Sequence, residues 1–175
     1  MKKELWINGE WVTTEAYQWL HNPYSGEQIA EIAIASSLDV DKAIQSAEDT
    51  NSIMKNMPAF QRSQILEKVS NLLADKKQEA ASILVQEASK PVSAALLEIE
   101  RTIQTYQFAA DEAKQLKGEV IPMDAAAGGV GRMGFTLREP LGVIGAISPF
   151  NFPFNLVAHK IGPAFAAGNT VVLKP

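Results

Sequence analysis

Asn151 and Lys174 are the two side chains whose types and spacing suit shared chemistry. Asn151 is an amide donor inside Ser148-Pro149-Phe150-Asn151-Phe152-Pro153, a turn interrupted by two prolines, and Lys174 is a cation at the end of an apolar run. A donor held in a rigid turn suits an oxyanion, because it is already aimed where negative charge develops. Each residue also has a plainer reading. Asn151 would serve as cap for a helix opened by Pro153, and Lys174 as a solvated lysine at a strand end.

The elements around them decide whether they meet. Gly142 to Ile147 is short and apolar, with β-branched Val143, Ile144 and Ile147, the pattern of a strand buried on both faces. After the turn, a helix is expected over 154–167, with Leu156, Lys160, Pro163 and Ala167 along one face and Pro163 bending or splitting it. Gly168-Asn169 ends the helix, and Thr170 to Leu173 is a second apolar strand. Strand, helix and strand within 35 residues make one right-handed βαβ unit with parallel strands. Ligands of open α/β sheets sit beyond the carboxyl ends of the strands, which puts Asn151 and Lys174 on one edge.

The segments 147–153, His159 to Ala164 and Ala167 to Pro175 together resemble the NAD(P)-dependent aldehyde dehydrogenase superfamily. The match runs without a gap to the last residue. The resemblance implies an α/β fold: N-terminal β-hairpins and helices leading into the first βαβ unit of a Rossmann-like sheet. It implies that Asn151 donates its amide to the oxyanion. It further implies that Ile147, Ser148, Pro149 and Phe150 line the nicotinamide ribose, and that Lys174 contacts the adenosine ribose of NAD or NADP. The family's catalytic Cys and general-base Glu fall beyond Pro175. The chain therefore reads as an N-terminal portion of an aldehyde-oxidising enzyme, inactive by itself. A non-catalytic assembly or nucleotide-binding module, or a portion of a CoA-acylating semialdehyde dehydrogenase, are the rival readings.

Composition agrees with a globular protein: 46% hydrophobic and 21% charged residues, with a net charge of −4. That balance argues against nucleic acid or an anionic membrane as partner. Cys is absent, so the chain offers neither disulfides nor thiolate metal sites. His21 and His159 form no metal pair, and no metal is expected. The polar opening, Met1-Lys2-Lys3-Glu4, does not read as a signal peptide, and a cytoplasmic location is the expectation.

Upstream, Leu5 to Val12 reads as a hairpin about Asn8-Gly9, and 17–21 with 28–34 as a second hairpin whose broken alternation leaves the register open. Trp6, Trp11 and Trp19 are expected to pack. Helices are expected over 39–57, over 59–87 with a break near 76–79, and from Pro91 to about Leu116. Gly118 to Gly131 is expected as loop and Arg132 to Glu139 as a strand. The resemblance makes this region a projecting hairpin that pairs with a second subunit, in a homodimer or homotetramer. The implied division is 1–118, 119–141 and 142–175. Arg101 has two readings: a surface arginine paired with Glu98 or Glu100, or a guanidinium for an anionic substrate. Glu100-Arg101-Thr102 resembles the lactaldehyde and non-phosphorylating glyceraldehyde-3-phosphate dehydrogenase branch, where such an Arg reaches the substrate's anionic group.

Overall fold

Asn8 and Gly9 both adopt positive φ (53° and 77°), the geometry of the tightest hairpin turn. They join β2 (Leu5–Ile7) to β3 (Glu10–Val12) in the computed structural model of the chain, which describes residues 2–175. Trp6 faces Trp11 across this hairpin, with ring centroids 4.7 Å apart and edge to face. Both rings stay 59% and 64% exposed, and Trp19 is exposed as well, so the expectation that all three are packed is corrected. The contact between the two rings leaves most of each residue exposed.

The second hairpin, β4 (Ala16–His21) and β5 (Gln28–Ile34), is joined on its far side by the short β1 (Lys2–Lys3), parallel to β5. Pairing steps from Leu20–Ala30 to His21–Gln28, so Ile29 is the extra residue of a bulge. That bulge is why apolar residues of β5 do not alternate. The turn is held by Asn22, whose Oδ1 accepts from the amides of Tyr24 (2.8 Å) and Ser25 (2.9 Å).

Helix α1 (Ser37–Asn56) opens with a reciprocal cap between Ser36 and Asp39. The Ser36 hydroxyl, then its backbone amide, lower the Asp39 carboxyl below its usual value. A lowered carboxylate contributes stability above its unfolded value, and that contribution is lost as pH falls through the folded one. Ser36→Ala removes the helix cap and is expected to destabilise the chain by about 1 kcal/mol, the usual cost of an N-cap serine. Thermal melts at descending pH should show the gap between variant and parent narrowing once Asp39 protonates.

Helix α2 (Ala59–Asp75) and α3 (Lys77–Ala88) meet at Lys76, inside the stretch where a break is expected. Helix α4 (Val92–Ala113) lies against both. Ala95, Ile99, Ala109, Ala110 and Ala113 are its buried apolar residues. It ends at Ala113, short of Leu116, where the amides of Lys114 and Gln115 close it in tighter bonds. Arg62 Nε donates to the carbonyl of Ala166 at 2.9 Å, and its Nη1 donates to that of Met57, tying two helix ends together.

The stretch after α4 departs from expectation. The expected loop holds β6 (Val120–Ile121) and two 3₁₀ turns, and the expected strand 132–139 shrinks to β7 (Gly134–Phe135). Gly118 allows a close backbone approach beside this short pairing. A Cβ there would lie 1.6 Å from the Thr136 carbonyl oxygen, while Thr136 exchanges hydrogen bonds with Glu119 (both 2.9 Å). Gly118→Ala is expected to cost about 1–3 kcal/mol, as overpacking does. Amide exchange at Thr136 should then rise together with the loss in melting temperature.

Helix α5 (Asn155–Ala166) links parallel strands β8 (Val143–Ile147) and β9 (Thr170–Lys174). Pro163 does not split it. Its ring is exposed, and the ladder resumes with Ala167 N to Pro163 O at 3.0 Å. Ala158, Gly162 and Ala166 form the buried stripe, and a Cβ on Gly162 would meet Ala109 at 3.1 Å. Small residues on both α4 and α5 allow this close approach. The strands are less covered than expected: Ala146 is buried, but Gly145 and Ile147 are exposed. Helices α1 and α5 pack on the pair, and no further strand lies beside it among the described residues.

Candidate active site

The register of β8 and β9 brings the chemistry-bearing residues together. Ile147 pairs with Lys174, and the Ser148 amide donates to the Lys174 carbonyl at 3.1 Å. Ile147, Ser148, Pro149 and Phe150 thus leave the carboxyl end of β8 directly beside the carboxyl end of β9. Phe150 is 92% exposed and Ile147 68% exposed, apolar surface standing open at the strand ends. Lys174 is exposed beside it. Gly142, at the far end, is fixed by its amide donating to Asn169 Oδ1 (2.9 Å), and Asn169 Nδ2 donates to the Ala164 carbonyl (3.0 Å). The buried Asn169 therefore ties the end of α5 to the start of β8.

Asn151 is exposed in the turn. It does not cap α5, which starts four residues later at Asn155 with Phe154 as its cap position and no side-chain acceptor from the local sequence. The first amides of α5 are taken by Glu98 from α4. Glu98 Oε1 accepts from Phe154 N at 3.0 Å and from Asn155 N at 3.2 Å. A carboxylate at this helix end also meets the favourable end of the helix dipole. Glu98 Oε2 is paired with Lys90, whose ammonium lies 4.0 Å from the centroid of the Phe152 ring.

Arg101 is exposed on α4. The expected pairing with Glu98 or Glu100 is not found, because Glu98 is taken by Lys90 and Glu100 by Lys77. Arg101 lies three residues after Glu98 and four before Thr105, hence on one helix face with both. Glu98 and Thr105 each touch Asn155, Thr105 Oγ1 lying 3.2 Å from Asn155 Oδ1. Arg101 is thus on the flank of α4 that meets the start of α5. Behind the turn, Phe150, Pro153, Phe154 and Val157 line an apolar cleft of about 910 Å³, together with Leu72 and Tyr106. Burial raises the Tyr106 phenol above its ordinary value, so it stays protonated. No group of side chains suited to hold a metal occurs among the described residues, and no helix among them is long and apolar enough to cross a membrane.

Glu98 and Lys90 were not legible as site-related in the sequence. A signal existed: Glu98 stands between Ala95, Ile99 and Thr102 in the buried stripe of α4, and an acid there requires partners.

The model of the aldehyde dehydrogenase family matches residues 11–175. The chain belongs to the aldehyde dehydrogenase family. Among aldehyde dehydrogenases it is similar to the 3-sulfolactaldehyde dehydrogenase of Priestia megaterium, with 44% identity over 171 residues. It is 43% identical over 171 residues to the lactaldehyde dehydrogenase of Methanocaldococcus jannaschii. Each match covers 98% of this chain and 35% of the relative, so the chain spans about a third of the length of these curated relatives. Its fold superposes with a TM-score of 0.95 on the NADP-dependent glyceraldehyde-3-phosphate dehydrogenase of Bacillus halodurans, solved in complex with NADP. That match has 39% identity and covers 100% of this chain and 37% of that one. The fold is the N-terminal part of the aldehyde dehydrogenase fold.

Proposed function

We propose that this chain supplies the oxyanion donor and one edge of the nucleotide site of an enzyme that oxidises a small aldehyde with NAD or NADP. The observation that carries the reading is Asn151: an exposed amide at the carboxyl end of β8, relieved of helix capping by Glu98. Its Nδ2 would donate to the carbonyl oxygen of the aldehyde as that oxygen gains charge. The residues at the strand ends fit the nucleotide. Ile147 and Phe150 offer uncovered apolar surface for the nicotinamide, and Ser148 and Lys174 offer polar groups for ribose hydroxyls. When bound, the nucleotide supplies the hydride acceptor. The chain contains no Cys, so its residues address the carbonyl oxygen and the nucleotide.

Arg101 supports a reading of the substrate class. Lactaldehyde, 3-sulfolactaldehyde and glyceraldehyde 3-phosphate, named for the relatives above, share a three-carbon 2-hydroxyaldehyde skeleton. They differ at the third carbon, as methyl, sulfonate or phosphate. A guanidinium without a carboxylate partner among the described residues, on the flank of α4 that meets the start of α5, favours the anionic members. The test is formation of reduced nicotinamide by the full-length polypeptide with each of the three aldehydes. Turnover of sulfonate or phosphate aldehydes ahead of lactaldehyde supports the reading; no turnover of any small aldehyde with either nucleotide overturns it.

A further inference from the structure

We propose that Glu98 and Lys90 are positioning residues for Asn151, a buried ion pair that grips the turn on both sides of Pro153 and sets the direction of the amide. The inference rests on the reading of Asn151 as oxyanion donor. The Glu98 side chain is 0% exposed and that of Lys90 16%. The two groups hold different parts of one short segment. Lys90 lies over the Phe152 ring, next to Asn151, and Glu98 Oε1 takes the amides of Phe154 and Asn155. Between them stands Pro153, whose φ is fixed by its ring. Residues 152 to 155 are therefore held at three points and stiffened at the fourth, while Phe150 and Asn151 stand exposed at the free end.

Stability alone is a poor reason for this arrangement. A buried ion pair is often replaced by apolar side chains with no loss. An apolar pair cannot provide two directional acceptor contacts to the backbone and a cation over a ring. Glu98 and Lys90 also work from outside the turn: the Glu98 contacts span 56 and 57 residues of sequence. Helix α4 carries Arg101 on the same flank, so one rigid element sets both the oxyanion donor and the guanidinium. A donor displaced by a fraction of an ångström stabilises the transition state less, while substrate still binds.

The decisive variant is Glu98→Leu with Lys90→Met, which removes the grip without leaving a buried charge unpaired. In the full-length polypeptide, kcat is expected to fall about 10- to 100-fold, with KM for aldehyde and nucleotide within about threefold. Amide exchange at Phe154 and Asn155 should quicken about 10-fold or more. Glu98→Gln, which keeps an acceptor oxygen, should restore kcat to within about fivefold of the parent. In an Asn151→Ala background, the double substitution should cost less than about twofold more, because it acts through the same group. An unchanged kcat in the double variant, or a full and independent loss on top of Asn151→Ala, overturns the positioning role while leaving Asn151 as the donor. A small effect of Asn151→Ala by itself overturns the oxyanion reading and the positioning role with it.

Discussion

Asn151→Ala is expected to lower kcat about 100-fold or more, the cost of one oxyanion donor, while the melting temperature barely moves. Both halves come from the same geometry. The side chain is exposed, and the helix that follows takes its cap from Glu98, so little folded-state stability depends on it. Exposed substitutions of this kind fall within about 0.5 kcal/mol. Asn151→Asp is the sharper control. It keeps the shape but replaces the donor with an acceptor-only carboxylate, and its kcat should fall at least as far. Steady-state kinetics and thermal melts on the same preparations check the pair. A large drop in melting temperature with kcat nearly intact would mean the residue serves the turn rather than the substrate.

Arg101→Leu is expected to lower kcat/KM about 10- to 100-fold for an aldehyde carrying sulfonate or phosphate, the range of one charged hydrogen-bonded contact. For lactaldehyde, which lacks the anion, the change should stay within about threefold. Arg101 has no ion-pair partner to lose among the described residues, since Lys90 and Lys77 occupy the neighbouring carboxylates. The substitution therefore isolates substrate recognition from folding. Arg101→Lys should recover part of the loss, because an ammonium retains the charge but not the paired donors of a guanidinium. Equal losses on the anionic and neutral aldehydes would place Arg101 outside the substrate site.

Much of the candidate site was written locally. The strand, the proline-bounded turn, the helix and the second strand follow one another within 35 residues, and each is specified by neighbours in sequence. Asn8-Gly9, Asn22 and Ser36 with Asp39 likewise act within a few residues of themselves, and their turns and cap stand as local chemistry requires. The structure departs from local expectation where partners are distant. The Trp residues suit packing by type, but whether anything covers them is a property of the assembled chain. The expected strand 132–139 contracts to two residues, and the backbone just after it, at Thr136, closely approaches Gly118.

Asn151 shows the division most clearly. Its residue type and its place between two prolines made it either a donor for substrate or a cap for the helix, and local sequence supports both. Glu98, 56 residues upstream of Phe154, takes the first amides of α5, which removes the cap reading and leaves Asn151 exposed. By itself, the sequence determined the family, the βαβ unit and the identity of the residues at its carboxyl edge. Only the tertiary structure decided which side chain caps which helix, that Lys90 and Lys77 rather than Arg101 take the carboxylates of Glu98 and Glu100, and which residues contact the turn. Hydrogen bonds and ion pairs across packed helices depend on where the helices meet, and no spacing within a single helix records that.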